Sequence, residues 1–169
     1  MAKNTPASSC LGQQAKLPVL LQAQYVSTGL YKVGTFLDLG STDNYVTYKF
    51  ARKHNLQGKD INIEVEGIGC KKSYIQSKVY TVPIIVRGQV REIECYGLKV
   101  ISSVSPPLTK ASYAAMCTKF GISPGEVKRP SKIDLLISMW DNSLHPSKLK
   151  TVGKKILYEG PLGKVFGGS

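Results

Sequence analysis

Along this chain apolar and polar positions alternate in short runs more often than they recur at helical spacing. VLLQAQYV (19–26) and YKVGTFLDL (31–39) are strand-like, and Ser27-Thr28-Gly29 between them is a turn signal, so the pair reads as a hairpin. INIEVEGIG (61–69) sets Ile61, Ile63 and Val65 on one face and Asn62, Glu64 and Glu66 on the other, until Gly67 and Gly69 interrupt it. SYIQSKVYTVPIIV (73–86) and VREIECYGLKVI (90–101) continue the strand texture about a turn at Arg87-Gly88-Gln89. IDLLISMW (133–140) is a continuous apolar run, which suits a strand buried on both faces. A polar stretch with Pro146 follows, and KKILYEGPLGKVFGG then reads as two short strands about Gly160-Pro161.

Helical spacing is confined to two places. After Gly40, the N-cap-competent Ser41, Thr42 and Asp43 precede Val46, Phe50 and Ala51, and Gly58 stands where a helix would stop; this predicts roughly three turns. KASYAAMCTKFG (110–121) is rich in helix formers and ends at a glycine, predicting a short second helix. Residues 1–17 are polar, small and without period, the texture of a flexible leader or inter-domain linker, and SSVSPPLT (102–109) is broken by prolines. The pattern as a whole predicts an all-β domain over 18–169 with minor helices.

Composition narrows the function classes. The chain has 169 residues, enough for one domain with a tail, and 42% are hydrophobic. Its longest apolar stretches fall short of the ~18 residues of a membrane span, and its first residues have no apolar core of signal-peptide length, so a cytoplasmic protein without membrane contact is expected. Cys10, Cys70, Cys95 and Cys117 are scattered, and His54 and His145 lie near none of them, so no metal site and no cofactor is expected. The net charge of +12 invites a nucleic-acid partner. The basic residues are spread out, however, with short clusters at Arg52-Lys53, Lys71-Lys72, Lys128-Arg129 and Lys148 to Lys155, and no aromatic RNA-binding motif accompanies them. Nucleic acid is therefore a secondary expectation.

The segment that carries chemistry is TFLDLGSTDNYV. Asp38 closes an apolar strand, and Gly40 lets the backbone approach the carboxylate closely with its N–H aimed at the acid. A catalytic acid gains from that placement, being fixed by a sheet and hydrogen-bonded by backbone donors, although a carboxylate that merely ends a strand fits the same pattern.

FLDLGSTDNYVTYKFARKHNL resembles the active-site region of retropepsin-type aspartic proteases: a hydrophobic pair, Asp, Ser or Thr, then Gly. Among these it is most similar to the aspartic peptidase domain of BEL/Pao retrotransposon polyproteins, in which Asp-Ser-Gly-Ser precedes a helix, a glycine-bearing flap and a Leu-Ile-Gly motif. The resemblance extends to IEVEGIGCKKSYIQS (63–77) as the flap, DLLISMWDN (134–142) as the run beneath the catalytic loop, and the terminal GPLGKVFGGS, so that it covers 18–169. It implies a closed acid-protease β-barrel, with 102–132 as a helical insertion that covers an edge strand or joins the dimer interface. It implies Asp38 as the catalytic residue, an active-site loop of Leu39, Gly40 and Ser41, a substrate-binding flap of Gly67, Ile68 and Gly69, and Leu136, Ile137 and Ser138 beneath the site. From the residues alone, Gly67 and Gly69 equally suit a plain hairpin turn or bulge.

Peptide hydrolysis by aspartates needs two carboxylates around one water, and the chain offers one Asp-x-Gly, so the resemblance implies a homodimer that supplies Asp38 twice and acts on a peptide or polyprotein substrate. The chain departs from the family at Leu39, where the usual hydroxyl joins a hydrogen-bond lattice bracing the two loops across the dimer. It departs also at Ser138, where the family has Gly and a Cβ crowds the backbone behind the loop, and at Lys164, where an aromatic is frequent. Two alternatives follow: a catalytically decayed dimer of the same fold that binds a peptide or partner protein, and a basic nucleic-acid-binding domain.

Overall fold

The described residues form ten strands, and their order explains where Asp38 lies. A computed structural model describes residues 22–66, 69, 71–101 and 109–168. β1 (Ala23–Ser27) and β2 (Lys32–Asp38) form the expected hairpin, in antiparallel register from Ala23↔Phe36 to Ser27↔Lys32, with the Thr28 N–H donating to Tyr31 O at 2.7 Å across the turn. β4 (Gly58–Glu66), β5 (Lys72–Val86) and β6 (Gln89–Leu98) form an antiparallel meander. β7 (Leu135–Ser138) is buried at every residue, as its unbroken apolar run predicts.

The segment after Gly40 departs from the sequence expectation. The structure replaces a helix of about three turns, capped at Ser41–Asp43, by a short strand, β3 (Tyr45–Thr47), and the six-residue helix α1 (Tyr48–Lys53). Tyr45, Val46 and Thr47 are all buried, and β3 fills the slot between β7 and β6, antiparallel to the first and parallel to the second. An aromatic and two β-branched residues fit that half-pleated slot better than a helix turn. The helix cap is instead Thr47, whose hydroxyl accepts the Phe50 N–H at 3.3 Å and donates to Asp134 Oδ1 at 2.6 Å.

These strands make one seven-stranded sheet in the order β1-β2-β7-β3-β6-β5-β4, and a separate three-stranded sheet is ordered β10-β9-β8. β9 (Lys155–Gly160) and β10 (Gly163–Gly168) are the two expected C-terminal strands. β8 (Ser147–Val152), exposed over most of its length, carries no apolar alternation and was expected as a polar stretch; it is defined by pairing with β9 rather than by burial. The closed barrel implied by the resemblance is not formed among the described residues. β1 and β4 remain the two edges of an open sheet, and the small sheet joins it through side chains, including Gln24 Nε2 donating to Leu162 O at 2.6 Å.

β10 couples two cores. Val165 packs with Val26, Leu37, Val46, Ile84 and Ile137 in the main cluster, while Phe166, pointing the other way, packs with Met116, Cys117, Phe120 and Leu157. The latter cluster seats α2 (Lys110–Phe120), the described helix of segment 102–132, on the small sheet. Residues 102–108 and the 1–17 leader lie outside the described residues, as do Cys10 and Cys70; Cys95 and Cys117 are buried free thiols.

Candidate active site

β2 carries Asp38 to its last position, half-buried, beside Ser138 at the end of β7 in a parallel register that also pairs Phe36↔Leu136 and Leu37↔Ile137. The chain then turns back on the carboxylate. The Gly40 N–H donates to Asp38 Oδ1 at 2.9 Å, and the Ser41 N–H to Asp38 O at 3.3 Å. A Cβ at position 40 would stand 3.1 Å from Asp38 Oδ1, so a glycine gives the acid its closest fit to the turn. The active-site loop of the sequence reading is thus assembled around Asp38, and Leu136, Ile137 and Ser138 lie alongside it.

Beyond this pair the surface is apolar. Leu39 and Met139, the residues following Asp38 and Ser138, are 52% and 51% exposed, and Trp140 is 82% exposed. Ser41 is buried and its Oγ donates to Asp43 O at 3.1 Å, so its hydroxyl serves the loop's own backbone and caps no helix.

Behind the loop is a polar hub built on Asn44, which is 3% exposed. Its Oδ1 accepts the Ser138 N–H at 2.8 Å and the Ser138 hydroxyl at 2.9 Å. Its Nδ2 donates to Glu94 O at 3.1 Å and to Asp141 Oδ2 at 2.6 Å. Asp141 Oδ1 in turn receives Arg91 Nη2 at 2.9 Å, so both carboxylate oxygens are engaged. The Ser138 Oγ also accepts the Trp140 N–H at 3.1 Å and caps the 3-10 turn Met139–Leu144. His145 Nε2 lies 2.7 Å from Ser138 O, which requires that nitrogen to carry its hydrogen. None of Asn44, Arg91, Asp141 or His145 was marked from sequence as a support for Asp38. Their partners lie as far as 97 positions apart, and no periodicity encodes them.

The candidate flap is the tip of the β4–β5 hairpin, whose last pair is Glu66↔Lys72. Gly69 is exposed there with φ of +81°, and nothing stands within 4 Å of the place a Cβ would take. Gly67 and Ile68 lie outside the described residues. A cleft of about 370 Å³ opens beside the Asn44 hub, lined by Asp43, Glu94, Tyr96, Val79 and Trp140. Its acids act on their neighbours. Burial, then Asp141 and Glu94, push the Cys95 thiol up, and burial, then Asp43 and Tyr96, push Tyr45 up to about 12.

No family model and no curated protein matches this chain. Among solved structures it is similar to the retroviral protease-like domain of Ddi1 from Leishmania major, at 10% identity and a TM-score of 0.34, over 74% of this chain and 75% of that one. What the site can do is therefore taken from its own geometry.

Proposed function

We propose that this chain is a retropepsin-like aspartic endopeptidase domain that works as a homodimer, each subunit supplying one Asp38. The observation that carries the reading is the loop itself: a carboxylate at the end of a buried strand, held by the Gly40 N–H at 2.9 Å and flanked by exposed Leu39 and Met139. In the dimer the two Asp38 carboxyls share a proton, because like charges so close do not both ionise. The ionised one takes a proton from a water, whose oxygen attacks the peptide carbonyl carbon, while the protonated one gives its proton to the carbonyl oxygen. The carboxyl that took the water's proton then gives it to the nitrogen, the other carboxylate takes back one hydroxyl proton of the tetrahedral adduct, and the C–N bond breaks to release the amine and the new carboxyl group. The resemblance to BEL/Pao domains makes a cytoplasmic polyprotein containing this domain the natural substrate, with the β4–β5 hairpin closing over it.

Incubating the chain with a mixed peptide library across acid to neutral pH, beside Asp38→Asn, tests this. Wild type is expected to cleave and the variant to lose activity by several orders of magnitude. Cleavage that survives in Asp38→Asn would sink the proposal.

One observation favours a second reading, a non-catalytic dimer that binds peptide. Leu39 offers no hydroxyl to brace paired loops, and the Ser41 hydroxyl in the same loop donates to Asp43 O. Peptide binding without cleavage by the wild type is the outcome that selects it.

A further inference from the structure

In the β1–β2 hairpin, Tyr25 pairs with Gly34. At Gly34 a Cβ would lie 1.9 Å from Lys132 O and 2.9 Å from Pro130 Cβ, so the missing side chain is what lets residues 130–132 press onto the sheet. That approach sets Arg129 and Ser131 beside Tyr25, and with Lys110, Tyr113 and Lys128 they line a cleft of about 460 Å³. Pro130 and Val127 are buried, and the Tyr113 hydroxyl accepts the Gly125 N–H at 2.7 Å.

We propose that this cleft binds single-stranded nucleic acid, with the phosphodiester backbone held by Lys110, Lys128 and Arg129 and a base stacked on Tyr25.

Charge argues for the backbone contacts. Among the described residues, Lys110, Lys128 and Arg129 line the cleft and no acid does. Glu126, the nearest acid in sequence, is bound elsewhere: its Oε1 takes Lys164 Nζ at 2.7 Å and its Oε2 the Ser123 N–H at 3.2 Å, and the Lys164 ammonium holds its carboxyl below the usual range. Neither Lys110 nor Lys128 is in an ion pair among the described residues. The volume falls within the ~300–1,000 Å³ of small-molecule sites, room for a nucleotide unit. Tyr25, 40% exposed, presents a ring at the cleft, and stacking in a concavity requires an unpaired base, which selects single strands over duplex. The site is separate from Asp38 and independent of the proteolytic reading.

Fluorescence anisotropy with a labelled single-stranded oligothymidine, titrated over salt, tests the proposal on the full chain. Lys110→Glu with Lys128→Glu is compared with Lys148→Glu plus Lys150→Glu on exposed β8, which removes the same charge elsewhere. The cleft pair is expected to weaken binding about tenfold or more and to lower the log–log salt slope by about 1.4, at about 0.7 per lost phosphate contact; the β8 pair leaves both near wild type. Tyr25→Ala is expected to lose about fivefold or more, with Tyr25→Phe retaining binding. Asp38→Asn is expected to bind like wild type. Equal losses in the two charge-reversal pairs, no binding by wild type, or binding to phosphatidylserine vesicles without binding to the oligonucleotide would each overturn it.

Discussion

Asn44 is the side chain on which the candidate site leans. Its amide satisfies four groups at once: the Ser138 N–H and hydroxyl, Glu94 O and Asp141 Oδ2. At 3% exposure no water replaces what it gives. Truncation leaves the buried Ser138 N–H and the half-buried Asp141 carboxylate short of a partner, and an orphaned buried group costs more than a hydrogen bond contributes. Asn44→Ala is therefore expected to destabilise the fold by about 2–4 kcal/mol in urea denaturation, the range for a broken buried network. A loss under about 0.5 kcal/mol, within the range of ordinary surface changes, would show that the hub is not a unit. Nothing in the local pattern marks this residue. Asp38 was legible because its chemistry is local, an acid, a turn and a glycine within three positions, whereas the hub joins residues 50 to 97 apart.

Among the elements, legibility followed how far each is decided by its own residues. The β1–β2 hairpin, the meander and β7 were readable because burial imposes a period of two or an unbroken apolar run. α2 was readable because Thr109 accepts the Ser112 N–H and Gly121 takes the left-handed cap with φ of 66°. β3 was not, since Tyr45-Val46-Thr47 becomes a strand only by occupying a slot made by β6 and β7. β8 was not, since its residues are nearly all exposed and pairing with β9, not a burial pattern, makes it a strand. Two contacts between elements are open to test. In Gly34→Ala the new methyl meets backbone at Lys132 O, which does not move like a side-chain tip, so a loss of about 2–4 kcal/mol is expected, with segment 125–132 losing amide-exchange protection. A fully stable variant would mean that this segment is not pressed onto β2. Glu126→Gln removes the carboxylate that Lys164 of β10 holds. Its depressed pKa means that the pair's stabilisation is complete above the ordinary value of 4.5 and fades as pH falls through the lowered one. The gap in melting temperature between wild type and variant, present at neutral pH, is expected to close in acid; a gap unchanged in acid would exclude the ion pair as its source.

For the whole molecule, the question is what covers the surface around Asp38. A single chain presents one such carboxyl, and next to it Leu39 and Met139 each keep about half their surface in water, with Trp140 more exposed still. In the two-fold dimer proposed above the patch would meet its own copy, so residues from both loops would be buried together and the two Asp38 side chains would approach across the axis. Covering the exposed halves of Leu39 and Met139 in both subunits stabilises by roughly 1 kcal/mol per side chain, about 4 kcal/mol in all. Leu39→Ser with Met139→Ser is therefore expected to weaken dimerisation about a thousandfold in sedimentation velocity. Because both side chains are exposed in the single chain, the protomer's own stability should change by no more than about 0.5 kcal/mol per site, which separates lost association from lost folding. Peptide cleavage should fall in step with the dimer fraction and recover at higher protein concentration. A variant that stays fully dimeric would place the interface elsewhere, and one that is monomeric yet fully active would show that paired Asp38 loops are not what cleaves.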